Sequence, residues 1–90
     1  MEQKTITITN KEGLHARPAS VFVKEAGKYK SKIYVSKHGG KEGNAKSILS
    51  VLSLGIDSGS TIDICTDGED ETLAAQALFE LIEGFNKETK

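Results

Sequence analysis

Pro18 is the single proline of the chain, and it constrains the fold strongly. Proline is tolerated inside a helix only in the first turn, where its missing N–H would have no intrahelical partner. Apolar residues then follow at the spacing of one buried helical face: Ala19, Phe22, Val23 and Ala26. The sequence therefore predicts a helix over residues 16–26, with Gly27 ending it in the left-handed conformation.

His15 falls at or just before the first residue of this helix. The backbone N–H groups there have no intrahelical acceptor, and the positive end of the helix dipole lies beside them. Arg17 follows two residues later. An imidazole nucleophile, a guanidinium and free N–H donors in one place suit a histidine that carries an anion such as phosphate. The alternative is a solvated capping residue next to a surface arginine.

The face opposite the apolar residues carries a basic stripe. At ~100° per residue its members fall on one side of the helix; they are Arg17, Ser20, Val21, Lys24 and Lys28. The stripe is either an ordinary solvated face or a surface that attracts an acidic partner and speeds encounter.

Alternating apolar residues predict four strands, over residues 4–9, 31–37, 41–44 and 60–66. The inward positions are Ile6, Ile8, Ile33, Val35, Ile62 and Ile64. The opposite face is rich in threonine and includes Tyr34 and Asp63, so it can stay in water. His38 opens a glycine turn between the second and third strands. Gly43 has no side chain to pack and predicts a bulge or a weak edge strand.

Residues 47–54 form a second predicted helix, with Ser47 as N-cap and Gly55 at its end. Its apolar residues span an arc of about 220°, wider than the ~100° stripe of a core-facing helix. The arc divides into two sides, with Val51 and Leu54 on one and Ile48, Leu49 and Leu52 on the other. Periodicity does not decide which side is exposed, and the alternative is that all five are core.

A third helix follows the acidic residues 69–71, and a polar end over residues 86–90 is expected to fray. The order is β-α-β-β-α-β-α. It predicts an α+β fold in which a four-stranded antiparallel sheet is covered on one face by three helices. Residues 1–90 are expected to form a single domain.

Composition excludes several functional classes. The net charge of −1 argues against nucleic-acid binding, which favours a strongly basic face. One cysteine, Cys65, cannot form an internal disulfide, and no His/Cys cluster has metal-ligand spacing. We therefore expect no metal, no cofactor and a passive thiol. A polar N-terminus and the lack of a long apolar run indicate a cytoplasmic protein without membrane insertion.

Two motifs carry a resemblance to a known family. Residues 13–19 read Gly-Leu-His-Ala-Arg-Pro-Ala and resemble the active-site motif of HPr, the histidine-containing phosphocarrier of the bacterial sugar phosphotransferase system. Residues 44–55 resemble the regulatory-serine motif of the same family. The resemblance covers essentially the whole chain. The chain departs from the family pattern in a turn about one residue longer at residues 38–40 and in Gly43.

The resemblance implies an open-faced β-sandwich and a phosphocarrier that is not itself an enzyme. It implies that Nδ1 of His15 accepts a phosphoryl group from phosphorylated enzyme I and passes it to sugar-specific IIA domains, with Arg17 stabilising the phosphate. It also implies that an HPr kinase modifies Ser47, with weaker docking to enzyme I and binding to a catabolite-control transcription regulator as consequences. The expected partner surface comprises Ala16, Ser20, Lys24, Lys28, Ile48, Leu49 and Leu52. A monomer is expected.

Two other functions stay open from the residues. One is a regulatory paralogue in carbon catabolite or nitrogen signalling that acts mainly as a binding module. The presence of both His15 and Arg17 favours a carrier over that alternative. The other is an enzyme with His15 as general base. It is disfavoured because no neighbouring carboxylate in the sequence orients the imidazole and no glycine-rich nucleotide loop is present.

Overall fold

The computed structural model describes residues 1–88 and contains four strands and three helices within them. The strands are β1 (Glu2–Thr7), β2 (Lys32–Lys37), β3 (Glu42–Asn44) and β4 (Thr61–Asp67). The helices are α1 (Ala16–Ala26), α2 (Ile48–Ser53) and α3 (Glu71–Glu88). The predicted element order and the α+β fold class are confirmed.

The strands form one antiparallel sheet in the order β1-β4-β2-β3. β4 lies between β1 and β2, so that Ile62 is opposite Ile6 and Ile64 is opposite Val35. β1 and β3 are the edges. α3 packs on β1 and β4, α2 packs on β3, and α1 contacts both other helices. The helices thus cover one face of the sheet, as an open-faced β-sandwich requires.

The core lies between that face and the helices. From α1 it takes Ala19, Phe22 and Ala26, all fully buried. The sheet contributes the predicted inward residues Ile33, Val35, Ile62 and Ile64. Their alternation along the strands is what separates a buried face from an open one.

β1 runs over Glu2–Thr7 and not over the predicted residues 4–9. Ile8 lies beyond its end but is fully buried. The Ile8 N–H donates to the carbonyl of Ser60 at 2.7 Å, and its carbonyl accepts from Gly59 N–H at 2.6 Å. The extended chain therefore continues past the strand and pairs with the loop before β4.

The prediction that Gly27 ends α1 in the left-handed conformation is wrong. Gly27 has φ −66° and ψ −14°, and its N–H donates to the carbonyls of Glu25 and Val23. The helix tightens into a further right-handed turn, so the freedom of glycine is not used there. Gly55, which follows α2, does adopt the left-handed conformation at φ +62°.

Gly43 lies in β3 at the edge of the sheet, as predicted, but the strand has no bulge there. It pairs with Val35 in regular register. A Cβ at this position would lie 3.1 Å from Cδ1 of Leu54, so the missing side chain gives room for the last residue of the α2 region. The turn before β3 includes Gly39 at φ +78°.

The expectation that the chain frays from Asn86 onward is wrong at Asn86. This residue is in α3, and its Oδ1 accepts from the N–H groups of Thr9 at 2.8 Å and Asn10 at 3.2 Å. Its Nδ2 donates to the carbonyl of Thr7 at 3.0 Å. The amide of asparagine can both donate and accept, so it satisfies backbone groups that β1 leaves unpaired. Residues 89–90 lie outside the described residues.

The open face of the sheet is less uniformly solvated than predicted, because Asp63 is only 8% exposed. Its carboxylate accepts from the Thr5 hydroxyl at 2.6 Å and lies 3.1 Å from Nδ1 of His38. The Thr5 hydroxyl, with help from His38, holds the pKa of Asp63 below its ordinary value against the opposing effect of burial. His38 is thus a turn residue with a carboxylate partner.

Candidate functional site

His15 is the N-cap residue of α1, with an extended backbone at φ −127° and ψ 167°. Its side chain makes no capping bond and is 37% exposed. The first helical hydrogen bond runs from Ala19 N–H to the His15 carbonyl at 3.4 Å. The N–H groups of Ala16 and Arg17 precede that bond and have no intrahelical acceptor. The predicted position of His15 at the head of the helix is confirmed.

Asp57 is the site residue that sequence reasoning missed. Its Oδ1 lies 2.6 Å from Nε2 of His15, although the two residues are 42 positions apart. The expectation concerned carboxylates close to His15 in the sequence, and the partner found is not one of these. Asp57 reaches the site from the loop between α2 and β4.

The backbone around Gly13 brings this loop to His15. Gly13 has φ +65°, and a Cβ there would lie 2.5 Å from the carbonyl oxygen of Ile56 and 2.8 Å from Cα of Asp57. The next residue, Leu14, is fully buried and donates its N–H to the Ile56 carbonyl at 2.9 Å. Close approach of the two backbones thus fixes Asp57 beside His15.

The contact assigns roles to the two ring nitrogens. An ionised carboxylate can only accept, so Nε2 of His15 donates its proton to Asp57. In the neutral ring the other nitrogen, Nδ1, then carries the lone pair. Nδ1 makes no hydrogen bond to any residue that the structure describes. The arrangement leaves a nucleophilic nitrogen available at a half-exposed position.

Ala16, the first residue of α1, has φ +51°. The left-handed region costs a residue with a Cβ about 1–2 kcal/mol. This conformation links the extended backbone of His15 to the helix and lies directly beside the ring-bearing residue. Ala16 is exposed, as expected for a residue of the predicted partner surface.

Arg17 lies in the first turn of α1 and is exposed, and its guanidinium makes no hydrogen bond or ion pair to the described residues. It lines an open depression of about 730 Å³ between the start of α1 and the end of α3. The other residues of that depression are Glu12, Ala16, Pro18, Val21, Leu81 and Phe85. His15 does not line this depression, and no hydrogen bond joins the His15 and Arg17 side chains in the described part of the chain.

The basic stripe of α1 is exposed along its length. Ser20, Lys24 and Lys28 are all exposed, and Val21 is 37% exposed. Lys28 Nζ lies 3.1 Å from Oε1 of Glu25, so part of its charge is already compensated. The predicted exposure of this face is confirmed.

α2 buries one side of its apolar arc and exposes the other. Val51 is fully buried, whereas the exposed side consists of Ile48 at 36%, Leu49 at 76% and Leu52 at 39%. The alternative in which all five apolar residues are core is therefore wrong. Ser47 is the N-cap, and its Oγ accepts from Ser50 N–H at 3.3 Å. α1 and α2, which carry the basic stripe and this apolar patch, contact each other.

The remaining reactive groups lie away from this site. Cys65 is half-buried in β4, and burial raises the pKa of its thiol, which disfavours the reactive thiolate. No group of three His, Cys, Asp or Glu side chains with metal-binding geometry occurs among residues 1–88.

The fold and the site together define a class of small proteins. Members have an open α+β sandwich with an oriented, partly exposed histidine at a helix start, whose imidazole can carry a covalently attached group. Comparison with known proteins makes the class specific. The family model PTS-HPr, described as the PTS HPr component phosphorylation site, matches residues 2–84. The chain belongs to the HPr family, and HPr is a phosphocarrier protein of the phosphotransferase system and not an enzyme in its own right.

Two curated relatives cover almost the whole chain. The HPr-like protein Crh of Halalkalibacterium halodurans is 48% identical over 92% of this chain and 98% of its own length. The phosphocarrier protein HPr of Borreliella burgdorferi is 44% identical over 97% of this chain and 100% of its own. Among solved structures, HPr-C-His from Thermoanaerobacter tengcongensis superposes with a TM-score of 0.94 at 46% identity and covers 100% of both chains.

Solved structures of similar fold include dimers. A crystal structure of Crh from Bacillus subtilis, 37% identical with a TM-score of 0.74, is a domain-swapped dimer; the match covers 93% of this chain and 95% of that one.

Within residues 1–88, no helix has the length and apolar character needed to cross a membrane.

Proposed function

We propose that this protein accepts a phosphoryl group on Nδ1 of His15 from phosphorylated enzyme I and passes it to the IIA domains of sugar permeases in the cytoplasm. The supporting observation is the His15–Asp57 contact of 2.6 Å, which engages Nε2 and leaves Nδ1 without a partner in the described part of the chain. The half-exposed position of the ring suits a group that must be reached by two different proteins.

The groups around His15 can compensate the incoming charge. The N–H groups of Ala16 and Arg17 lie at the helix start without an intrahelical acceptor, and negative charge is favoured there. The Arg17 guanidinium has no competing ion pair in residues 1–88, so it can turn toward a phosphate on His15. An open site of this kind stabilises the phosphoryl group only partly, as reversible transfer requires.

Incubation with phosphoenolpyruvate and enzyme I, followed by intact mass measurement, tests this role. We expect an acid-labile gain of one phosphoryl group that His15→Ala abolishes. His38→Ala is the matched control, because His38 is the other of the two histidines, and it should retain the gain. A phosphoryl group that survives in His15→Ala would contradict the proposal.

We also propose that partners dock where the basic stripe of α1 meets the apolar patch of α2. The expected contacts are Ala16, Ser20, Lys24, Lys28, Ile48, Leu49 and Leu52. Exposed leucine and isoleucine side chains next to lysines suit a partner surface with an apolar centre and an acidic rim. Leu49→Ala should weaken binding to enzyme I measured by titration calorimetry, whereas Leu73→Ala, which alters an exposed leucine on α3, should leave it unchanged.

Regulation through Ser47 is the third part of the proposal. Its hydroxyl lies at the start of α2, directly before the apolar patch. A phosphate there would place about −2 charge beside Ile48 and Leu49 and so disfavour apolar docking. An HPr kinase with ATP should add an acid-stable phosphoryl group to the protein and to Ser53→Ala, but not to Ser47→Ala.

A regulatory binding module is the second candidate function, and the 48% identity to Crh favours it. In that case Ser47 would be phosphorylated and would promote binding to a catabolite-control transcription regulator, while His15 would receive little phosphate from enzyme I. The two assays above separate this role from the carrier role.

We propose a monomer as the working state. The edge strand β3 has only three residues, and a short edge pairs poorly between molecules. Sedimentation equilibrium at micromolar concentration should give the mass of one chain. A mass of two chains would instead indicate a dimer, as in the Crh crystal structure.

A further inference from the structure

We infer that Asp57 is a positioning residue for phosphoryl transfer, whose carboxylate keeps the Nε2 proton of His15 in place while Nδ1 gains and loses the phosphoryl group. The inference rests on the proposed function of His15 and deepens it. It is carried by the 2.6 Å contact between Nε2 and Oδ1 and by the backbone that enforces it.

The chemistry needs a fixed proton. On phosphorylation the Nδ1 lone pair forms the N–P bond, and the bond from phosphorus to the donor atom breaks with its electron pair left on the donor. Nε2 keeps its proton, so the ring gains positive charge. The negative charge of the adjacent carboxylate stabilises this positive charge. On transfer the electron pair of the N–P bond returns to Nδ1, and the leaving group is a neutral imidazole and not an imidazolate. No proton moves in either direction.

The geometry of the contact is set by the fold and not by the two side chains alone. Leu14 N–H and the Ile56 carbonyl join the two segments at 2.9 Å, and Gly13 permits the backbones to touch. The Asp57 side chain is 74% exposed, so solvent and salt screen the interaction. The effect of Asp57 on the transfer rate is therefore moderate. It assists phosphoryl transfer in both directions without trapping the phosphorylated form of His15.

Transfer from phosphorylated enzyme I, measured as a single-turnover rate, tests the inference with Asp57→Ala and Asp57→Asn. Loss of a partner that orients a metal-binding histidine costs about 10- to 100-fold, and the low end, about tenfold, is expected here for Asp57→Ala. Asp57→Asn keeps the shape and an acceptor oxygen but loses the charge, so its transfer rate should lie between those of the wild-type protein and Asp57→Ala. Asp67→Asn, an exposed aspartate at the far end of β4, is the matched control and should stay within about twofold.

A spectroscopic measurement separates positioning from a general structural effect. In the wild-type protein the Nε2 proton of His15 should give a slowly exchanging ¹H resonance coupled to ¹⁵N, and Asp57→Ala should remove it. Two results would overturn the inference: wild-type rates in both Asp57 variants, or slower transfer with an unchanged Nε2 resonance. If the wild-type protein takes no phosphoryl group on His15 at all, the proposed function itself fails, so the two failures are distinguishable.

Discussion

At the scale of single residues, the site depends on a glycine that takes no part in its chemistry. Gly13 combines a left-handed backbone with a backbone contact that excludes a Cβ. Gly39 has a similar left-handed backbone, at φ +78°, but open space around it. Comparing alanine substitutions at Gly13 and Gly39 therefore separates the free-energy cost of the left-handed backbone from the cost of the contact with a neighbouring backbone.

Gly39→Ala should lower the free energy of unfolding by about 1 kcal/mol, the cost of the left-handed backbone for alanine. Gly13→Ala should lower it by about 3 kcal/mol or more, because the new methyl group also meets Ile56 and Asp57. Urea unfolding of both variants measures the difference. Equal losses would show that the two backbones move apart at little cost.

The His15–Asp57 pair also marks the limit of prediction from sequence at this scale. The head of a helix could be inferred from Pro18 and the apolar spacing, because both are local. The partner of the ring depends on which loop reaches it across the fold, and periodicity carries no information on that. The glycines that bracket the 56–58 loop, Gly55 and Gly59, were the available signal that its backbone is unusual.

At the scale of elements, α2 shows how a short helix can serve both core and surface. Its apolar arc was predictable, but its orientation was not, since angles on a helical wheel are relative. Packing against β3 and α1 settles it, because Val51 is then the residue that faces the core.

Val51→Ala should cost about 2 kcal/mol in the free energy of unfolding, from two lost methyl groups at ~0.8 kcal/mol each plus a cavity term. Leu49→Ala should stay within about 0.5 kcal/mol, because its side chain is 76% exposed. Thermal and urea unfolding provide the comparison. A large loss for Leu49→Ala would mean that the patch is not free surface.

Asp70 joins the start of α3 to the chain before β2. Its carboxylate accepts from the N–H groups of Lys30 and Ser31, each at 2.9 Å, and from the Ser31 hydroxyl. The Ser31 hydroxyl, followed by the Lys30 N–H, lowers the pKa of Asp70 from 3.8 to about 2.

The folded pKa of Asp70 lies below the unfolded value, so its stabilisation is complete above about pH 4 and is lost as the pH falls toward 2. Asp70→Asn should therefore lose less stability than the wild-type protein between pH 4 and pH 2. Urea unfolding across that range tests this, with Asp67→Asn as the control that keeps the wild-type slope. Parallel curves for wild type and Asp70→Asn would contradict it.

At the scale of the whole molecule, the order of elements and the buried faces followed from sequence because each depends on local periodicity. Two of the failures share another cause. The predictions for Asn86 and Asp63 use only their neighbours in the sequence, whereas their conformation or burial is set by partners that the topology supplies. Gly27 differs, because local hydrogen bonds to Glu25 and Val23 keep it in a right-handed turn. The sequence predicts a frayed polar end at Asn86. Its side chain instead makes three hydrogen bonds, a junction that joins α3 to β1 and the segment after it.

That junction can be tested by hydrogen exchange. Asn86→Ala should speed amide exchange at Thr9 and Asn10 by about tenfold, the equivalent of one lost hydrogen bond of ~1 kcal/mol or more. Asn44→Ala, which removes a side-chain bond to Lys46 N–H at the other edge of the sheet, should leave these two amides unchanged.

The Asn86 junction has a consequence for the order in which the site is completed during synthesis. Synthesis proceeds from the N-terminus, so the segment that bears His15 is made before α3. The acceptor for Thr9 and Asn10 is Asn86, which follows Asn10 by 76 positions. The loop leading into the site is therefore synthesised well before the residue that secures it, and it gains these hydrogen bonds only once α3 has been made.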